Sequence, residues 1–220
     1  MKLARFILLA FFLAPFARAD SGTVNMLFTG VNGVNDGQYY VSPYTGTMTT
    51  ASGSQTVTLF CDDVLHEVGF NQSWTANVTN LGAAIAIGNF NNTRFGSTMT
   101  PDNATVLYEE VAWLTNQFNS SNQNQWVSLQ HAIWDLTDPA AGYTDTGTWL
   151  TSAGALNPKN YGSVNASNFE IITNVGLNDP TQTQVQEFLV QTPEPGTLGL
   201  LFCGILALAA FTLLRTRAAA

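Results

Sequence analysis

Cys61 closes the stretch VTLFC and is followed by DDVLHE; the only other cysteine, Cys203, lies in an apolar C-terminal segment. A thiol can serve as nucleophile, metal ligand or half of a disulfide, and each use needs a partner. No second cysteine in the body of the chain offers a disulfide. A cysteine hydrolase would set a histidine beside the thiol, and only His66 and His131 are available. Asp62 and Asp63 follow directly, however, and adjacent negative charge raises a thiol pKa where a catalytic cysteine needs it lowered. Asp62, Asp63, His66 and Glu67 form D-D-x-x-H-E, and His131 and Asp135 stand at i, i+4. Without HExxH, paired Cys/His ligands or an EF-hand loop, these predict strand-to-loop polar residues rather than a metal centre. No P-loop, GxGxxG or serine elbow occurs, so neither a cofactor nor enzymatic turnover is expected.

The second chemically notable residue is Gln130 in QWVSLQHAIWDLT. Helical spacing puts Trp126 at i−4, Ile133 at i+3 and Trp134 at i+4 on its face. A carboxamide among two tryptophans and an isoleucine is expected to be buried, where unpaired donors and acceptors are costly. One reading makes Cys61 a small buried hydrophobe and Gln130 a satisfied core amide, within a passive structural or glycan-binding module.

A second reading comes from resemblance. Leu59-Phe60-Cys61 on a strand, 108–114 on one helix and Leu129-Gln130-His131-Ala132-Ile133-Trp134 on the next resemble the thioester domain of Gram-positive surface adhesins, over about 38–140. In that family a strand cysteine and the glutamine of a Thr-Gln-x-Ala motif join as an internal thioester. The resemblance implies Cys61 as the sulfur and Gln130 as the acyl group, with Phe60, Asp62, His66, His131 and Trp134 in support. It also implies an extracellular amine or hydroxyl as the target, acylated once. Leu129 stands where that family has Thr.

These residues need elements to hold them. From Gly22 to about Asn80, the runs TVNMLFTGV, QYYVSPYTGTM, SQTVTLFC and SWTANVTNL, broken by Gly, Asn, Pro and Asp, predict antiparallel strands. Leu107, Val111, Leu114 and Phe118 recur at helical spacing after Thr100-Pro101-Asp102, and a second helix is expected over about 125–137, stopped by Asp138-Pro139. NFEIITNV reads as a strand, and TQTQVQEFLV as a short helix or strand. The expected class is α+β: a β-rich, antiparallel, barrel-like N-terminal half, two packed helices after about residue 103, and a C-terminal transmembrane helix.

The two ends supply a setting. Lys2 and Arg5, the apolar run Phe6 to Phe16 and Ala17-Arg18-Ala19 form a signal peptide over 1–19, cleaved after the small residues Ala17 and Ala19. Pro193-Glu194-Pro195 precedes an apolar span at 196–214, long enough to cross a bilayer, and Arg215 and Arg217 follow it on the cytoplasmic side. This end, 193–220, resembles the PEP-CTERM sorting signal of Gram-negative bacteria. The resemblance implies an exosortase-type sorting enzyme as partner and a transient membrane anchor. It also implies a place at the cell surface or in an extracellular matrix near exopolysaccharide. The domain between is 20–192, a length typical of one domain. Five of the 7 basic residues lie in the two ends, leaving Arg94 and Lys159 against most of the 15 acids. Such a surface repels phosphates and carries no basic patch, which excludes nucleic-acid binding.

Overall fold

Four strands follow the predicted runs: β1 (Thr23–Val31), β2 (Tyr44–Thr50), β3 (Gly53–Cys61) and β4 (Ser73–Asn80). The computed structural model describes residues 22–155, 164–177, 179 and 183–192, which fall within one compact unit, Asp20–Thr192. In β1, Val24, Met26 and Phe28 are buried while Thr23 and Asn25 are exposed, the period-2 pattern of a strand with one apolar face. β2 and β3 form a tight hairpin, Thr50 pairing with Gly53 at φ 130°, a conformation that glycine alone adopts freely. Tyr44 rather than Gln38 opens β2, because the chain before it turns through Asn32–Pro43, where Asn32 Nδ2 donates to Val41 O and Pro43 O.

The barrel is not a property of the N-terminal half. β5 (Phe169–Asn174) and β6 (Phe188–Gln191) insert between β4 and β3, giving the closed antiparallel order β1-β2-β3-β6-β5-β4. The first four strands alone would leave β3 and β4 as open edges, and closure removes both. TQTQVQEFLV thus resolves as a strand at its end, with Leu59 paired to Val190, Phe60 to Leu189 and Cys61 to Phe188.

Helices cover the barrel beside this closure. α1 (Leu81–Ile87) starts on an Asn80 cap accepting from Ala83 N and ends at Gly88. α2 (Pro101–Thr115) has Thr100 as N-cap and Pro101 in its first turn. α3 (Trp126–Thr137) stops at Asp138, before Pro139, and α4 (Trp149–Ala155) follows. The two expected helices are therefore joined by two short ones. α3 turns Trp126, Leu129, Gln130, Ile133, Trp134 and Thr137 inward. Where the helices lie over the barrel, strands are buried on both faces: every residue of β5, and Leu59, Phe60 and Cys61 of β3.

Among the described residues no helix is long and apolar enough to cross a membrane. Ala17, Ala19, Pro193, Glu194, Pro195, the 196–214 span, Arg215 and Arg217 lie outside the described residues.

Candidate functional site

Cys61 is the last residue of β3 and is completely buried. Its backbone N–H donates to Ser42 Oγ at 2.8 Å, and its thiol donates to Asp63 O at 3.2 Å. Gln130, equally buried, reaches this point from α3: Nε2 donates to Cys61 O at 2.7 Å, and Oε1 accepts from Ser42 N at 3.0 Å. Ser42 thereby ties the two together, giving its N–H to the carboxamide and its hydroxyl oxygen to the cysteine backbone. The structure thus juxtaposes the two residues singled out in the sequence, 69 positions apart.

Burial pushes the Cys61 thiol well above its ordinary pKa, and the negative charges of Asp63 and Asp62 add to that. The buried Trp134 indole N–H makes no hydrogen bond, yet Trp134 and the Asp63 backbone both act to lower the Cys61 pKa, without offsetting burial. Tyr44, packed nearby, has its hydroxyl pKa raised by burial and by the charges of Cys61 and Asp36.

The supporting residues divide. Trp134 is at the site and stacks with His131 (5.9 Å, 27°). His131 Nε2 lies 3.0 Å from Asp36 Oδ2, joining α3 to the Asn32–Pro43 loop rather than touching Cys61. Burial would raise the Asp36 pKa, but the Tyr39 N–H, His131 and the Gln38 N–H outweigh it and hold the carboxyl below its usual range. Phe60 packs on Phe118 (5.5 Å).

Asp62 and His66 belong to a second cluster. Asp63 Oδ2 is 2.7 Å from Arg94 Nε and 2.9 Å from His66 Nδ1. Glu187, fully buried, accepts from Tyr108 Oη at 2.7 Å, from Arg94 N at 2.6 Å and from the Thr173 hydroxyl, while its own N–H donates to Asp63 Oδ2 at 3.3 Å. Burial raises its pKa to about 6, against the hydrogen bonds of Thr173, Arg94 N–H and Tyr108 that lower it, and the Asp63 charge adds to the rise. Asp62 is buried with neither carboxylate oxygen hydrogen-bonded; burial, then the charges of Glu187 and Asp63, hold its pKa well above the usual range. Among the described residues no group of three or more His, Cys, Asp or Glu could hold a metal ion.

Ser42, Asp36, Arg94, Tyr108 and Glu187 were not visible as site residues in the sequence. Only Glu187 gave a signal, an acid directly before the apolar run Phe188-Leu189-Val190.

No family model, curated protein or solved structure matches the chain. Function therefore rests on what these side chains can do.

Proposed function

We propose that this is an exported protein of a Gram-negative cell surface or extracellular matrix that attaches covalently to a target through an internal thioester between Cys61 and Gln130. The observation that carries the reading is the carboxamide of Gln130, buried and held at both ends by the segments around Cys61: Nε2 on Cys61 O and Oε1 on Ser42 N.

Formation is a single displacement. Cys61 Sγ attacks Gln130 Cδ, the Cδ–N bond breaks, and ammonia leaves carrying the thiol proton. Charge gathers on Oε1 as the tetrahedral centre forms, and the Ser42 N–H is already aimed at that atom. Burial then keeps water from the acyl group. An amine or hydroxyl of another molecule breaks the Cδ–S bond, takes the acyl group and returns its proton to sulfur. One chain makes one bond, so the reading is not enzymatic.

The export and sorting features complete the proposal: a signal peptide ending at Ala19, and an exosortase-type enzyme acting at Pro193-Glu194-Pro195. A second reading, a passive structural or glycan-binding matrix module, is favoured by the thiol bond to Asp63 O, which suits an inert buried cysteine.

Intact mass separates them. The purified full chain is expected to be one ammonia lighter than its sequence after allowing for processing, to gain the mass of added methylamine, and to lose both behaviours in Cys61→Ala. A full sequence mass, with a free thiol and an unmodified Gln130 in the digest, would sink the thioester.

A further inference from the structure

A cleft of about 300 Å³ opens beside Trp134, and its walls come from six separate segments, among them Phe28 and Val31 of β1 and Trp134 of α3. The Asn32–Pro43 loop gives Gln38, Tyr39 and Tyr40, β2 gives Tyr44, the loop after β3 gives Glu67, and Gln186 comes from just before β6. From its chemistry we infer that this cleft is a binding site for a neutral saccharide.

Three observations carry the inference. The first is aromatic surface held in place: Tyr39 meets Trp134 edge to face (6.3 Å, 84°), and Tyr40 is half exposed at 50%. A pyranose ring has faces of C–H groups and an edge of hydroxyls, so it stacks on an aromatic ring while its hydroxyls seek polar groups. The second is the polar inventory. Gln38 carries donors and an acceptor, Gln186 keeps its acceptor and one amide hydrogen beyond the bond it donates to Asp63 O, and the Glu67 carboxylate can accept from two hydroxyls. The third is charge: no Lys or Arg is among the described residues that line the cleft, and the chain has a formal net charge of −8. Uronates, sulfated sugars and phosphates would meet a carboxylate with no counter-charge.

An alkylammonium is the competing occupant, since aromatic faces and a carboxylate attract cations. Glu67 is exposed, so solvent screens its attraction, and an ammonium has no acceptor for the amide donors of Gln38 and Gln186. The volume lies at the lower end of the ~300–1,000 Å³ usual for ligand pockets, which suits one or two sugar rings.

Trp134 forms part of the cleft wall and is buried near Cys61, whose thiol pKa it influences. A bound sugar would therefore sit on the approach to the Cys61–Gln130 pair. Its delivery to an acyl group rests on the thioester reading, whereas reversible binding does not.

The test is ligand-observed saturation-transfer NMR on the full chain in a sugar-free zwitterionic detergent. The probes are neutral β-glucan, α-mannan and β-galactan hexasaccharides, an oligogalacturonate and n-butylammonium. At least one neutral hexasaccharide is expected to bind more tightly than the charged probes. Tyr40→Ala should weaken it about five- to tenfold, and Glu67→Gln about two- to fivefold. Both residues are exposed enough for the variants to fold, and Cys61→Ala should bind as the wild type does. The inference falls if no neutral probe binds at millimolar concentration, or if oligogalacturonate or n-butylammonium is preferred. It falls equally if binding ignores both substitutions, or if Cys61→Ala abolishes it, which would make the signal covalent capture alone. The ammonia-loss measurement stays separate: saccharide binding without mass loss keeps the cleft and removes the thioester.

Discussion

Cys61 and Asp62 are adjacent and equally buried, yet their side chains serve two very different neighbourhoods. Around Cys61 the polar partners are neutral: a thiol, a hydroxyl, a carboxamide and backbone groups, joined by bonds of 2.7–3.2 Å. Around Asp62 three carboxylates cluster near Arg94: Asp63 pairs with its guanidinium, Glu187 accepts from its backbone N–H, Asp62 makes no hydrogen bond, and His66 lies at the edge. An extended chain sends successive side chains to opposite sides, so one strand end can feed two sites. The neutral site needs only geometry to be stable. The charged one needs Arg94, Tyr108 and Thr173, and it is stable in full only with extra protons bound.

The sharpest way to break this contrast is to remove the cation. Arg94→Met should cost about 3–5 kcal/mol, because it strands buried carboxylates without their partner. Urea unfolding at pH 8 measures this, and the deficit should shrink as pH falls through about 6, where Glu187 takes up a proton. Next comes the neutral site. Relative to the chain with its free carboxamide, the form in this structure, Gln130→Leu keeps the volume but removes the partners of Ser42 N–H and Cys61 O in the interior, for about 2–4 kcal/mol with little pH dependence between 5 and 8. Ser42→Ala removes only the acceptor of the Cys61 N–H, and about 1–2 kcal/mol is expected in the same assay.

The smallest effect carries the most informative sign. Glu187 titrates near 6 instead of its ordinary 4.5, so its contribution to stability is full below about 4.5 and lost as pH rises through 6. Asp62, whose pKa is also raised, acts in the same direction. The urea midpoint of the wild type should therefore fall between pH 4.5 and 7, and Glu187→Gln should flatten that fall. Asp62→Asn removes an ionisable group that no hydrogen bond supports, and should raise stability at pH 8 by up to about 1 kcal/mol. A lower midpoint for Asp62→Asn at every pH would contradict the view of Asp62 as a burdened carboxyl.

How legible each region was in the sequence follows from the same difference. Cys61 and Gln130 stood out because each is of an unexpected type for its place: a lone thiol ending an apolar strand, and an amide between tryptophans on one helical face. The four early strands and the two longer helices were readable because Gly, Asn and Pro mark their turns and Leu107, Val111 and Leu114 keep helical time. Closure of the barrel was not readable, since β6 is only 4 residues long and no local pattern says that it pairs with β3. Arg94 sits in NNTRFGS, which has the composition of an exposed loop, and only tertiary contact buries it against Asp63 and Asn174. Ser42 likewise lies in an aperiodic turn, and its two bonds reach residues 19 and 88 positions away. The negative charge following Cys61 raises the thiol pKa, as the sequence implies, but burial is the larger cause, and burial is a property of the fold.

The position of β6 has a mechanical consequence. It is the last described strand, ending at Gln191, and it is held between β3 and β5. Tension applied to the chain beyond Thr192 would load the Gln191 end first. The pairs with β3 would then open like a zip, Val190 from Leu59, Leu189 from Phe60, and Phe188 from Cys61 last. The cysteine thus occupies the most sheltered tooth of the fastener, so a tethered molecule under drag would surrender its seam long before disturbing the residue next to Gln130.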